Sequence, residues 1–292
     1  MYASPFEYHA PSTLAEALQL LDKHKDEAKV LTGGQSLVPL MKLRLAAPST
    51  IIDLRKVPGL TGVMEDGATL RIGALTTHGA IAADATVKKK LPMVAEAALL
   101  IGDTQVRNAG TIGGSLAHAD PSADWPAVMT ALDASIVVAG SSGIAAAKAV
   151  KIADFITGPL STVLGPGDIV TTIVVPMPPA RTAGAYEKLP HPASRFAIVG
   201  VAAEVSLAAD GTVAWSRIGI TGLASKVYRA TGVEQALQGK KAAEVAKTAA
   251  ARAAEGIELR DDPTGSAAYR SHLAAVYTER AVLRAAERAA KR

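Results

Sequence analysis

Two short segments set adjacent glycines among hydroxyl side chains: Thr32-Gly33-Gly34-Gln35-Ser36 and Gly110-Thr111-Ile112-Gly113-Gly114-Ser115. Glycine lets a backbone come close to a ligand, and unpaired amides at the start of a helix attract anions. Gln35 and Ser36 add side-chain donors. Taken singly, each segment reads as a tight turn. Together they point to a phosphate-bearing cofactor cradled by backbone. Neither segment contains G-x-G-x-x-G or G-x-x-x-x-G-K-S/T, so a Rossmann site and a P-loop are unsupported. A third segment, His118-x-Asp120-x-x-x-Asp124, invites a metal-dependent hydrolase, because imidazole and carboxylate donors lie close together. No HExxH accompanies it, and the six histidines (9, 24, 78, 118, 191, 272) are scattered, with no second His/Asp cluster to complete a shell. The same residues serve as loop caps or ligand contacts. A fourth, Tyr186-Glu187-Lys188, places a lysine on a strand-like run, where a solvated sheet face is the plain reading.

These segments need elements to hold them. Thr13-Leu14-Ala15-Glu16 is a capping box, and Leu14, Ala17, Leu18 and Leu21 follow at helical spacing. A strand over Lys29–Leu31 runs into the first glycine segment, followed by a helix over about 37–43 and a strand at Ile51–Leu54. Residues 58–176 mix strands (70–73, 136–138, 169–175) with a buried helix over 91–101 and the Gly-rich loop at 108–115. Pro176-Met177-Pro178-Pro179 is the best linker. Beyond it, strand-like runs at 183–189, 196–207 and 212–223 precede an Ala/Glu/Lys/Arg-rich helical remainder from about 231, and Asp210-Gly211 reads as a hairpin turn. Strands followed by helices predict an α+β unit. The expected units are therefore 1–57, 58–176 and 177–292.

A length of 292 residues supports about two domains at roughly 150 residues each, with a core that needs no staple. The 31 basic and 27 acidic residues leave a net charge of +4, and aromatics make up only 4%, too few to suggest base stacking. The basic end, Arg284 to Arg292, reads as a solvated helix terminus rather than a nucleic-acid tail. The chain has no cysteine, which excludes disulfides, thiol nucleophiles and thiolate-held zinc or iron–sulfur centres within it. The N-terminal residues lack the basic and apolar regions of a signal peptide. The most apolar run, Ala197–Ala203, is far short of the ~20 residues that span a bilayer. A soluble, cytoplasmic protein without a transmembrane segment is expected.

The ordered set Leu-Thr-Gly-Gly-Gln-Ser-Leu-x-Pro, Met-Lys-x-Arg, Ile-Asp-Leu-Arg, Gly-Thr-Ile-Gly-Gly, Asp-Pro-x-x-Asp and Tyr-Glu-Lys resembles the FAD-binding (medium) subunits of molybdenum hydroxylases. That family includes the carbon-monoxide dehydrogenase medium chains and the flavin domain of xanthine dehydrogenase. The resemblance covers nearly the whole chain. It implies a vanillyl-alcohol-oxidase-type FAD fold: two α/β subdomains clasp the cofactor, and a C-terminal domain of antiparallel sheet and helices closes one side. It also implies that Leu31, Thr32, Gly33, Gly34, Gln35 and Ser36 form a first pyrophosphate loop and Thr111, Ile112, Gly113, Gly114 and Ser115 a second. Asp124 matches an FAD-contacting aspartate, Ile101 and Val170 match apolar positions against the flavin ring, and Lys188 matches a lysine near it. A lysine so placed would favour negative charge on the reduced ring.

The resemblance further implies a molybdenum cofactor and 2Fe–2S clusters on partner chains only: an iron–sulfur small subunit and a molybdenum large subunit, arranged as a dimer of heterotrimers. Electrons would leave through FAD to quinone, NAD or oxygen. No residue is assigned as catalytic or as a metal ligand. Carbon-monoxide dehydrogenase chains tend to have His where Gln35 stands, a small point against carbon monoxide as the substrate. The alternatives from other classes are the metal-dependent hydrolase on His118, Asp120 and Asp124, and a cofactor-free assembly subunit.

Overall fold

The structure, a computed structural model, describes residues 2–140, 142–259, 261 and 265–292. Four residues of the stretch read as helical, 260 and 262–264, lie outside that range.

The N-terminal part is a three-stranded parallel sheet with helical crossovers: β1 (Glu7–His9), α1 (Leu14–His24), β2 (Ala28–Leu31), α2 (Leu37–Lys42) and β3 (Thr50–Asp53). The sheet order is β1-β3-β2. Thr13 caps α1 by accepting the Glu16 amide at 3.1 Å, while the Glu16 carboxylate reaches back to the Ser12 amide at 2.9 Å. Leu14, Ala17, Leu18 and Leu21 are all buried, as their spacing requires. At the far end of β3, Asp53 accepts the Tyr8 hydroxyl at 2.6 Å and the Arg55 guanidinium on both oxygens, which ties β1 to β3.

The middle part is built on a five-stranded antiparallel sheet, ordered β4-β5-β10-β6-β7. Between β4 (Val63–Asp66), β5 (Thr69–Gly73) and the returning strands lie six helices. They are α3 (His78–Ala83), α4 (Ala85–Lys90), α5 (Pro92–Leu100), α6 (Thr104–Ala109), α7 (Ile112–His118) and α8 (Asp124–Ala131). The sheet then continues with β6 (Ser135–Gly140) and β7 (Gly143–Lys151). A short helix α9 (Ile152–Phe155) and the small ribbon β8 (Ile156–Gly158) and β9 (Ser161–Thr162) lead to β10 (Ile169–Pro176). The Gly-rich loop read at 108–115 is therefore mostly helical: α6 runs to Ala109 and α7 begins at Ile112. The second half of β7, Lys148–Lys151, is strand despite the helical propensity of its Ala and Lys residues, because β6 supplies a pairing edge.

After Pro176 the chain enters an antiparallel sheet of β11 (Thr182–Pro190), β12 (Ala197–Leu207), β13 (Val213–Thr221) and β14 (Tyr228–Arg229). Gly211 takes a left-handed φ of +83° in the β12–β13 turn, where the Asp210 carboxylate accepts the Thr212 amide at 3.0 Å. Helices α10 (Thr231–Leu237), α11 (Ala242–Ala250) and α12 (Ala267–Ala290) complete the part. Small residues of α12 (Ala274, Ala281, Ala285, Ala289) share a second core with the apolar faces of β11–β13. Helix α8 is buried along its whole length, with β12 and β13 on one side and α5 on another. A Cβ at Gly219 would lie 2.3 Å from the Ala127 carbonyl oxygen, so glycine is what lets β13 approach α8 so closely.

The basic C-terminal end is not the solvated terminus read from the sequence. Arg284 and Arg288 both pair with Glu96 of α5 and donate to the carbonyls of Tyr186 (2.7 Å) and Gly184 (3.0 Å), while Arg292 donates to Thr182 (3.2 Å). These guanidiniums satisfy carbonyls along β11 and fasten α12 to α5. Among the described residues, no helix is long and apolar enough to cross a membrane.

Candidate cofactor cleft

The two glycine segments, 79 residues apart, come into contact: the Thr32 and Thr111 hydroxyl oxygens are 3.1 Å apart. A Cβ on Gly33 would lie 2.1 Å from the Ala109 carbonyl oxygen, so no other residue lets the first segment lie against the end of α6. Gly34 adopts a left-handed φ of +71°, which turns the chain from β2 into α2. Gly113 is equally constrained, since a Cβ there would lie 2.5 Å from the Ala74 Cβ.

Between and beside these segments opens a cleft of about 750 Å³, lined by Leu31 to Ser36, Thr111, Gly113, Gly114, Ser115, Ile101, Asp124 and Val170. That volume lies within the roughly 300–1,000 Å³ typical of ligand pockets. Thirteen of the fifteen residues implied by the family resemblance line it. Two do not. Ile112 is fully buried and its side chain belongs to the core, because the first turn of α7 directs it against the sheet. Lys188 is set behind the wall rather than on it: its ammonium donates to Asp124 Oδ2 at 2.8 Å and to the Leu100 carbonyl at 3.1 Å.

The segments differ in what they offer. The amides of Gly33, Gly34, Gln35 and Ser36 have no protein acceptor. Those of the second segment are already engaged: Ile112 donates to Thr76 O, Gly113 to Ala74 O, Gly114 to Thr111 Oγ1 and Ser115 to Thr111 O, at 2.8–3.2 Å. Only the first segment is an amide cradle. The second contributes close approach at Gly114 and the hydroxyls of Thr111 and Ser115. A run of unpaired amides beside hydroxyl donors fits an extended anionic cofactor.

At the other end of the cleft, Ile101 follows α5 in a pinned turn. Arg107 Nη1 donates to the carbonyls of Ile101 and Gly102, each at 3.1 Å, and Lys188 holds Leu100. Asp124 opens α8, and its Oδ1 accepts the Tyr186 hydroxyl at 2.5 Å. Tyr186 and Lys188 alternate with Glu187 on β11, so both project from one face of the strand. Burial pushes the Asp124 carboxyl up, while the charge and hydrogen bond of Lys188 and the Tyr186 hydroxyl pull against it. Burial and then the Asp124 charge push the Tyr186 phenol well up, so Tyr186 keeps its proton. The Asp-Pro-x-x-Asp loop is held by β13: Thr221 donates to the carbonyls of Pro121 and Ala123 at 2.7 and 2.9 Å.

His78 also lines the cleft, beneath the second segment. Trp125 Nε1 donates to its Nδ1 at 3.0 Å, and burial followed by the Arg107 charge lowers its pKa to about 4, so the ring is neutral. The loop Leu164-Gly165-Pro166 forms part of the rim. Neither is singled out by a motif in the sequence; for the loop, the Gly-Pro-Gly run before β10 is the available signal. Tyr186 stands in the Tyr-Glu-Lys motif, which by itself assigns it no role. The donors of His118, Asp120 and Asp124 do not converge into a ligand set. Asp120 accepts the Ser122 amide at 2.8 Å and Asp124 is occupied by β11, which removes the basis of the hydrolase reading.

The comparisons agree with this geometry. The family described as FAD binding domain in molybdopterin dehydrogenase matches residues 4–178, and the CO dehydrogenase flavoprotein C-terminal domain matches residues 184–285. The chain belongs to the FAD-binding medium subunits of the molybdenum hydroxylases. It is 40% identical over 278 residues to the carbon monoxide dehydrogenase medium chain of Hydrogenophaga pseudoflava, covering 95% of this chain and 96% of that one. It is 34% identical over 285 residues to the 6-hydroxypseudooxynicotine dehydrogenase complex subunit alpha of Paenarthrobacter nicotinovorans, covering 97% and 95%. Among solved structures, the H. pseudoflava carbon monoxide dehydrogenase that lacks the Mo-pyranopterin moiety superposes with a TM-score of 0.93 at 40% identity, over 99% of both chains. The chain is thus the flavin-containing component of an oxidoreductase.

Proposed function

We propose that this chain is the electron outlet of a heteromeric molybdenum hydroxylase, with FAD bound in the cleft between the two glycine segments. The observation that carries the reading is the row of unpaired amides at Gly33–Ser36 facing a second segment that is locked to it through Thr32 and Thr111. FAD, when bound, supplies the ability to accept one or two electrons. In this reading the Gly33–Ser36 amides hold the diphosphate, Gly114 leaves room for it, Thr111 and Ser115 add hydroxyl contacts, and Ile101 and Val170 exclude water from the ring. Asp124, backed by Lys188 and Tyr186, sets the charge beside the ring.

The absence of cysteine means that any iron–sulfur cluster feeding this site belongs to another chain. The partners proposed are an iron–sulfur small subunit with 2Fe–2S clusters and a molybdenum large subunit, assembled as a dimer of heterotrimers. The acceptor belongs to the class of quinone, NAD or oxygen. Substrate choice would reside in the molybdenum-bearing partner. The three larger sheets, one in each part, support units of 1–57, 58–176 and 177–292.

The test is purification of the chain in its native complex, followed by flavin release on denaturation and assay of partners, molybdenum and iron. One FAD per chain, with molybdenum and iron on other chains, is the expected result. A colourless preparation that FAD cannot reconstitute would sink the reading and favour a cofactor-free assembly subunit.

A further inference from the structure

We propose a divalent transition-metal site at the edge of the N-terminal sheet, formed by Glu7, His9 and His24 and separate from the flavin cleft. Glu7 and His9 lie two residues apart on β1 and so share a face, while Tyr8 between them turns the other way to Asp53. His24 ends α1, and its ring centroid lies 5.5 Å from that of His9. One potential ligand atom from each of the three residues lies within 4.8 Å of the other two. The histidines that look scattered in the sequence are thus partly gathered by the β1–α1 turn.

The two imidazoles carry an unmet demand. Nε2 of His9 and Nε2 of His24 are both shielded from solvent, and neither has a hydrogen-bond partner. A buried polar atom without a partner costs stability unless something else satisfies it. The Glu7 carboxylate does not do so, since its oxygen stands 3.6 Å from His9 Nε2, beyond hydrogen-bond range. That spacing is close to the roughly 3.3 Å kept by two ligands about 2.0 Å from one tetrahedral ion. The buried Thr50 hydroxyl, 3.3 Å from His24 Nδ1, fixes that ring from behind and leaves Nε2 as the free ligand atom. This is the outer support that metal-bound imidazoles require. Two imidazoles and a carboxylate select an ion of the Zn²⁺ class over Mg²⁺ or Ca²⁺, with a fourth position open to water. The exposed Glu7 provides the way in. An ion here would clip β1 to the end of α1.

The test uses the full chain, stripped with EDTA and then equilibrated with Zn²⁺ alone, with bound zinc measured by elemental analysis. Wild type should take up one Zn²⁺ per chain, saturably, and its thermal midpoint should rise. His9→Gln and His24→Gln should each lose both effects while keeping the wild-type far-UV spectrum and flavin content. His272→Gln, at an exposed position outside the cluster, should behave as wild type. Zinc uptake equal in wild type and both cluster variants, or absent from wild type, would overturn the site.

Discussion

Gly114 carries the sharpest residue-level prediction. A Cβ there would lie 2.8 Å from Thr111 Oγ1 and 2.9 Å from Thr32 Oγ1, where the two segments touch. Gly114→Val should leave the circular dichroism of the chain unchanged and weaken FAD binding by about tenfold or more, equivalent to ~1.4 kcal/mol, read by flavin fluorescence titration. The Asp124–Lys188 pair gives a second. Both groups are almost wholly buried, so removing one partner strands the other in an apolar setting. Asp124→Asn should cost about 3–5 kcal/mol in urea unfolding, and Asp124→Asn with Lys188→Met should recover part of that loss. If the double variant were no more stable than the sum of the singles, the pair would not be coupled. Lys188→Ala should retain FAD and lower its reduction potential, because the cleft is then bordered by the Asp124 carboxyl without its counter-charge. An unchanged potential in a redox titration would refute that role.

At the scale of elements, the fastening of α12 to α5 through Glu96 is the feature to perturb. Arg284 and Arg288 are about one-third exposed, so solvent screens these pairs and each contributes on the order of 1 kcal/mol or less. Glu96→Ala removes the α5 partner of both guanidiniums at once and leaves their bonds to β11 in place. The expected outcome is faster limited proteolysis at the 177–181 connection, with little change in flavin content; an unchanged cleavage rate would show that the cores hold α12 without this contact. Elements were legible where one local signal sufficed. The capping box at Thr13 and the spacing of Leu14 to Leu21 marked α1, and Asp210-Gly211 marked the β12–β13 turn. They were not legible where a tertiary partner decided. Ala149 and Val150 form strand because Val137 and Ile136 of β6 lie alongside, and Gly113 and Gly114 sit in a helix because Ala74 and Thr111 take their amides. Arg288 looked solvated because Glu96, its partner, lies 192 residues away.

Across the whole molecule, two buried groups give the pH dependence opposite signs. His78 has its pKa lowered from 6.5 to about 4 by burial and the Arg107 charge. Below pH 6.5 the unfolded chain takes up a proton that the native state refuses, so stability falls as pH drops toward 4, by up to about 3 kcal/mol. Glu204 has its pKa raised from 4.5 to about 7 by burial, with Arg217 opposing. Its contribution is present below pH 4.5 and is lost as pH rises through 7, by a similar amount. Between pH 4.5 and 6.5 these slopes offset. Glu204→Gln should therefore unmask a rise in stability with pH across that window, measured by urea midpoints at successive pH values. A Glu204→Gln profile as flat as wild type would show that His78 is not the opposing group. At this scale the sequence carried the composition of the cleft, since both glycine segments were visible. It did not carry the division of labour between them, because that depends on which amides the fold leaves unpaired.

The cleft draws its walls from Thr32, Thr111 and Val170, with Lys188 of a separate sheet bracing Asp124. A ribosome delivers these in order, and none of the early ones makes a complete receptor. Coenzyme capture then awaits the tenth strand, which brings Val170, and a truncated product ending before that point should leave the cell without colour.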